Sequence, residues 1–151
     1  MEAVTANRPD PDTRAEPDPV VGTVLCIEDD PINLAVIAGL LGNFAGVTLI
    51  QAPSGRDGVR IAREQRPDLV LLDMNLPDIS GLEVVRMLSE EISQRHLAVI
   101  LLTGDSYSID VVKALSLGAR EYWLKPIDLA RLREGLARAL KHLLAERARG
   151  R

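Results

Sequence analysis

Pro67 to Gly81 reads PDLVLLDMNLPDISG. Leu69, Val70, Leu71 and Leu72 form an apolar run with no polar alternation, as expected of a strand in a parallel sheet covered by helices on both faces. Asp73 then stands at the C-terminal end of that strand. Open parallel α/β sheets collect ligands and chemistry outside those ends, where the loops leave a crevice.

The same pattern repeats on either side. Thr23 to Ile27 predicts a first strand, ending in Glu28, Asp29 and Asp30. Asp30 followed by Pro31 starts a helix to about Asn43, because an N-cap acceptor precedes a proline whose missing N–H costs nothing at the first helical position. Val47 to Gln51 is the second strand, and Ser54 with Asp57 opens a helix to about Gln65. After Asp73, Ser80 and Glu83 form a capping box for a helix carrying Leu82, Val85, Leu88 and Ile92 at helical spacing. Leu97 to Leu102 is the fourth strand, ending at Thr103 and Gly104, and a helix from about Tyr107 to Leu117 is stopped by Gly118. Arg120 to Leu124 is the fifth strand, ending at Lys125 and Pro126, and Asp128 caps a final helix to about Arg147. Strands alternating with helices in this way predict a doubly wound α/β fold with parallel strands.

Composition narrows the function. At 151 residues the chain fits one domain, and 46% hydrophobic with 26% charged residues is an ordinary globular composition. A net charge of −4 argues against a nucleic-acid binder, which carries a broad basic face. Cys26, the single cysteine, lies in an apolar run and suits a reducing cytoplasm as a core residue. Pro31 to Gly55 holds no charged residue, but Asn33, Gly42, Asn43, Gly46, Gln51 and Pro53 interrupt it, leaving far less than the roughly 18 apolar residues of a membrane span. Residues 1–20, rich in Pro and Asp and without periodicity, predict a disordered acidic arm before a domain over 21–151. They hold no apolar block of the kind a secretory signal needs.

The residues just past each strand converge at one edge: Glu28, Asp29 and Asp30, then Asp73, Thr103 and Lys125. Several carboxylates in one crevice repel unless a cation joins them, and all-oxygen ligation is what Mg²⁺ prefers. A carboxylate can attack phosphorus to give an aspartyl phosphate while a metal, an ammonium and a hydroxyl neutralise the transferring group.

With these residues in place, the chain from Thr23 to the last helix resembles the response-regulator receiver domain of two-component signalling. The segments that carry the likeness are VLCIEDDPIN, LVLLDMNLPDISG, VILLTGD and GAREYWLKP. The resemblance implies a flavodoxin-like sheet in the order 2-1-3-4-5, with Mg²⁺ as cofactor on Glu28, Asp29, Asp73 and the backbone carbonyl of Asn75. It implies Asp73 as phosphoacceptor, Thr103 and Lys125 as phosphoryl contacts, and a cis bond before Pro126. It implies a switch in which Thr103 moves inward and Tyr122 rotates, remodelling the face of the fourth helix, fifth strand and fifth helix. A histidine kinase or histidine phosphotransfer protein is the implied donor, with no nucleic-acid or membrane partner. Glu28 stands where Asp is commoner, and Gly104 where a small Ala is frequent. Asn75 and Asp105 flank the site at positions that tune hydrolysis in the family, and their polarity predicts a short-lived phosphoryl state.

Other features have plainer readings. His96 and His142 lack metal-ligand spacing. Trp123 should face opposite to Tyr122 and pack. The helix PINLAVIAGLLGN is apolar nearly all round, so its outer side, expected at Leu34, Ala35, Ala38 and Leu41, offers a docking face for a histidine-bearing bundle or a second copy. The final helix is longer than the sheet needs, and its overhang is basic through Lys141, Arg147, Arg149 and Arg151. This reads as a solvated end favourable to the helix dipole, or as a dimer contact.

Three other function classes compete. A haloacid-dehalogenase-type phosphatase also uses a strand-end Asp nucleophile, but needs an acid two residues on, where Asn75 stands. A phosphorylation-independent receiver-like module is the principal alternative. A DNA-binding regulator would need a recognition helix outside the sheet fold.

Overall fold

The structure is a computed structural model that describes residues 20–149 except 95, 106 and 107. The acidic arm expected over 1–20 lies, but for Val20, outside the described residues, as do Arg151 of the basic overhang and Tyr107 at the expected start of the helix after the fourth strand.

Five strands form one parallel sheet in the order β2-β1-β3-β4-β5, parallel as the alternating pattern predicts and in the order the resemblance implies. They are β1 (Gly22–Ile27), β2 (Val47–Ala52), β3 (Leu69–Asp73), β4 (Ala98–Thr103) and β5 (Glu121–Leu124). The helices are α1 (Pro31–Leu41), α2 (Gly55–Gln65), α3 (Gly81–Met87), α4 (Ser89–Ser93), α5 (Ile109–Ser116) and α6 (Leu129–Arg149). The single helix expected after Ser80 is thus two. Leu88 leaves helical geometry at φ −99° and ψ 12°, and its N–H is shared between the carbonyls of Val84 and Val85. Leu88 is fully buried there, so packing holds the side chain while the backbone tightens. Ser108 caps α5 by accepting from the Asp110 N–H, which places the start of that helix at Ile109.

The unalternating strands serve two cores. Leu25, Ile27, Val70, Leu72, Val99 and Leu101 pack on one face against Val59 of α2, Val84 and Val85 of α3, and Val111 of α5. Val24, Cys26, Leu69, Leu71, Ile100 and Leu102 pack on the other against Ile37 and Leu41 of α1 and Leu132, Leu136 and Leu140 of α6. Successive strand side chains point to opposite faces, so a run buried on both must be apolar throughout. Trp123 lies in the α1/α6 core and Tyr122 against the other, on the opposite sides expected of neighbours in a strand.

The first helix corrects one expectation. Leu41 is 3% exposed and Leu34 packs against the α1/α6 core, so neither lies on an outer face. The exposed apolar residues are Ile32, at 74%, and Val36, at 53%, with Ala35 exposed between them and Ala38 half-buried. A helix apolar on every side carries no periodicity from which to choose its buried stripe. At the far end, α6 runs on past Leu143, a residue of the α1/α6 core, with Lys141 and Arg149 exposed. Among the described residues no helix is long and apolar enough to cross a membrane.

Candidate functional site

The strand ends deliver the acidic residues together. β1 pairs with β3 from Val24↔Leu69 to Ile27↔Leu72, so Glu28 and Asp73 leave adjacent strands at the same level. One carboxylate oxygen each from Glu28, Asp29 and Asp73 lie within 4.8 Å of one another. Glu28 and Asp73 are buried and Asp29 is exposed, which gives the cluster a wall and an open side.

β4 and β5 bring the remaining groups. Asp73 pairs with Leu102, and Thr103 with Leu124. The Met74 N–H donates to the Leu102 carbonyl at 3.1 Å and the Lys125 N–H to the Thr103 carbonyl at 2.9 Å, extending the ladders past the strand ends. From there the Lys125 ammonium donates to Asp73 Oδ1 at 3.1 Å and to Glu28 Oε1 at 3.2 Å. The Lys125–Pro126 peptide bond is cis, as the resemblance implied.

The electrostatics follow from this bridge. Burial opposes charge on Lys125, but Asp73 and Glu28 outweigh it and hold the ammonium above its ordinary range. For Glu28 burial dominates and pushes the carboxyl up. The Asp73 carboxylate adds to that push, against the Asp30 N–H and Lys125, which pull down. Cys26, beneath the cluster, is pushed up to about 12, by burial first and then by the carboxylates, and is an inert core thiol.

Thr103, buried, has its hydroxyl engaged within its own loop. It accepts from the Asp105 N–H at 3.1 Å and lies 3.1 Å from the Asp105 carbonyl, to which it can donate. Asn75 is exposed, and its N–H donates to Asp73 Oδ1 at 3.1 Å. Tyr122 is half-buried one residue from Trp123, whose indole N–H donates to Glu121 Oε1 at 2.8 Å. Gly104 has open space where a β-carbon would stand. His96 and His142 are exposed and sit 3.3 Å and 2.9 Å from Arg66 and Arg120, away from the carboxylates.

Asp78 belongs to this neighbourhood and was not singled out in the sequence. Its carboxylate accepts from the N–H groups of Gly55, at 2.9 Å, and Arg56, at 2.8 Å, across the gap to α2. Asp after Pro in a loop signals a turn residue, and nothing local reveals a partner 22 or 23 positions away.

The donor set is all oxygen, acidic and open on one side, which suits a hard divalent cation. Comparison with known proteins agrees. The response regulator receiver domain family matches residues 24–137, and the chain belongs to that family. It is similar to the polar-differentiation response regulator DivK of Brucella anthropi, 34% identical over 112 residues that span 74% of this chain and 90% of DivK. Among solved structures it resembles the receiver domain of a sensor histidine kinase from Pseudomonas aeruginosa, with a magnesium ion coordinated in its active-site cleft. That likeness has a TM-score of 0.72 and 30% identity, and covers 80% of this chain and 98% of the other. A CheY-like receiver domain protein from Methanospirillum hungatei matches with a TM-score of 0.74 and 25% identity, over 83% and 98% of the two chains.

Proposed function

We propose that the chain is a phospho-aspartate switch or phosphorelay carrier. It takes a phosphoryl group onto Asp73 from a histidine kinase or histidine phosphotransfer protein and signals by protein contact rather than by turning over a substrate. The observation that carries this reading is the Lys125 ammonium seated between Asp73 and Glu28, with the Thr103 hydroxyl on the next strand end.

In the transfer, an Asp73 carboxylate oxygen forms a bond to phosphorus as the bond from phosphorus to the donor imidazole nitrogen breaks, the electron pair leaving with that nitrogen. Lys125 offers its positive charge to a phosphoryl oxygen as the charge on Asp73 is shared out. Glu28, Asp29, Asp73 and the Asn75 carbonyl would hold Mg²⁺, which neutralises charge on the transferring group. Hydrolysis reverses the loading: a water oxygen bonds to phosphorus, the Asp73–phosphate bond breaks, and inorganic phosphate leaves with Asp73 a carboxylate again. Asn75 and Asp105, polar at the mouth, admit and orient that water, giving a short-lived state.

Thr103 links loading to output. Its hydroxyl is satisfied by the Asp105 backbone in the resting state, so it exchanges those bonds for a phosphoryl oxygen only when one is present. The exchange draws Thr103 inward and frees space for Tyr122 to turn. A swing from 1:99 to 99:1 between the two states requires about 5.5 kcal/mol of preference for the loaded one.

The chemical identity of the adduct tests the reading. After reaction with phosphoramidate, a nitrogen–phosphorus donor, hydroxylamine should release the phosphate and leave a hydroxamate on the peptide containing Asp73. An adduct that resists hydroxylamine, or one on another peptide, would sink it.

A further inference from the structure

We infer that Asp78 is a positioning residue for the metal-binding half of the proposed acceptor site, holding residues 74–80 to the start of α2 and so setting where the Asn75 carbonyl lies relative to Glu28 and Asp29. This rests on the proposed reading of Asn75 as a metal ligand.

The chain of contacts runs from one half of the site to the other. Gly58 of α2 sits directly on Ile27, where a β-carbon would overlap the isoleucine side chain, and Ile27 is the residue before Glu28. Gly55, one turn earlier, is covered by Ile79 with no space for a β-carbon. The first turn of α2 is therefore pressed between the strand that carries Glu28 and the loop that carries Asn75. Its N–H groups are divided between two acceptors. Ser54 takes the Asp57 N–H at 3.1 Å, while Asp78 takes those of Gly55 and Arg56.

A helix needs its first amides satisfied, but the acceptors here are not equivalent. Ser54 caps from the helix's own chain, whereas Asp78 caps from the loop after Asp73. Asp78 is exposed, and although partial desolvation raises its carboxyl, the Arg56 and Gly55 amides outweigh that and hold it below its ordinary range. Residues 74–80 lie outside any strand or helix, and Leu76 and Ile79 reach the core only in part. Asp78 supplies a directional tie from this loop to α2. A backbone ligand cannot be replaced by a side chain's rotation, so its distance to Glu28 and Asp29 depends on how the loop is held.

Calorimetric titration of Mg²⁺ into the whole chain separates the possibilities. Asp78→Asn should raise the Mg²⁺ Kd roughly tenfold, the lower end of what changing a residue that orients a metal ligand costs. Ser54→Ala, which uncaps the same helix without touching the loop, should leave it nearly unchanged. Binding and coupling are reciprocal, so in the wild type saturating Mg²⁺ should slow amide exchange at Gly55 and Arg56 more than at Asp57. Equal weakening by both variants would make the effect one of helix stability and overturn the proposal. So would a wild-type Kd retained in Asp78→Asn, or exchange at Gly55 and Arg56 that ignores Mg²⁺. A wild type that binds no Mg²⁺ would instead overturn the reading of the site itself, and the proposal with it.

Discussion

Lys125 shows how much a single side chain decides here. Its ammonium is the cation shared by Glu28 and Asp73, both almost fully buried. In Lys125→Ala the carboxylates face each other uncompensated. We expect a loss of about 2 kcal/mol at pH 7 without Mg²⁺, below the roughly 3–5 kcal/mol of a fully buried pair because Lys125 keeps some contact with solvent. Urea unfolding with and without Mg²⁺ checks this: the cation should restore part of the loss, and an unchanged midpoint would make the bridge incidental. Glu121 makes a second test. Its carboxylate is opposed by burial but held below its ordinary value of 4.5, chiefly by Arg138 and also by Trp123. A depressed carboxyl stabilises fully above its unfolded value and loses that contribution as pH falls through the folded one. The stability gap between wild type and Glu121→Gln should be about 1 kcal/mol near neutrality, given the exposed Arg138, and close only below pH 4.5. At this scale the gathering of Glu28, Asp29, Asp73, Thr103 and Lys125 at one sheet edge was legible in the sequence, because strand-end residues in a parallel sheet must converge. Asp78 was not, since its partners come from an element far along the chain.

The elements are held by close approaches that propensity alone would not choose. Gly135 lies mid-helix in α6, where alanine is intrinsically better. Trp123 occupies the space its β-carbon would need. Gly135→Ala should therefore destabilise by about 1–3 kcal/mol, the range for overpacking, despite the gain in helix propensity. Thermal unfolding followed by Trp123 fluorescence measures it, and a stabilised variant would show that α6 can shift freely. α1 carries the complementary lesson. Its apolar surface was plain in the sequence but its orientation was not, because a helix with no polar stripe has no moment to orient it. Burial now places Ile32 and Val36 outermost, and Val36 lines a cleft shared with Glu28, Asn33, Lys125 and Pro126. Val36→Arg should slow transfer from a protein phosphodonor at least about tenfold, the effect of some 1.4 kcal/mol, and leave acetyl phosphate loading unaltered. Equal slowing of both would mean the substitution disturbs the site rather than a docking surface.

For the molecule as a whole, strand order and parallel direction followed from apolar runs, helix signals and the receiver-domain resemblance, and the structure agrees. Less legible were the break at Leu88 and the start of α5 at Ile109, which depend on how tightly each turn must close over a core that local sequence does not describe. The resulting architecture sets an acidic crevice at one end of a rigid sheet. Thr103 and Tyr122 sit on the neighbouring strands β4 and β5, which places the proposed switch pair side by side. The proposed function depends on Asp73 becoming phosphorylated. The decisive measurement is intact mass after incubation with acetyl phosphate and Mg²⁺, on wild type and on Asp73→Asn, with EDTA as a control. A single phosphoryl adduct on the wild type, absent from the variant and from the EDTA sample, is the predicted result. A folded wild type that binds Mg²⁺ yet gains no mass, or an Asp73→Asn variant that gains the same adduct, would contradict it.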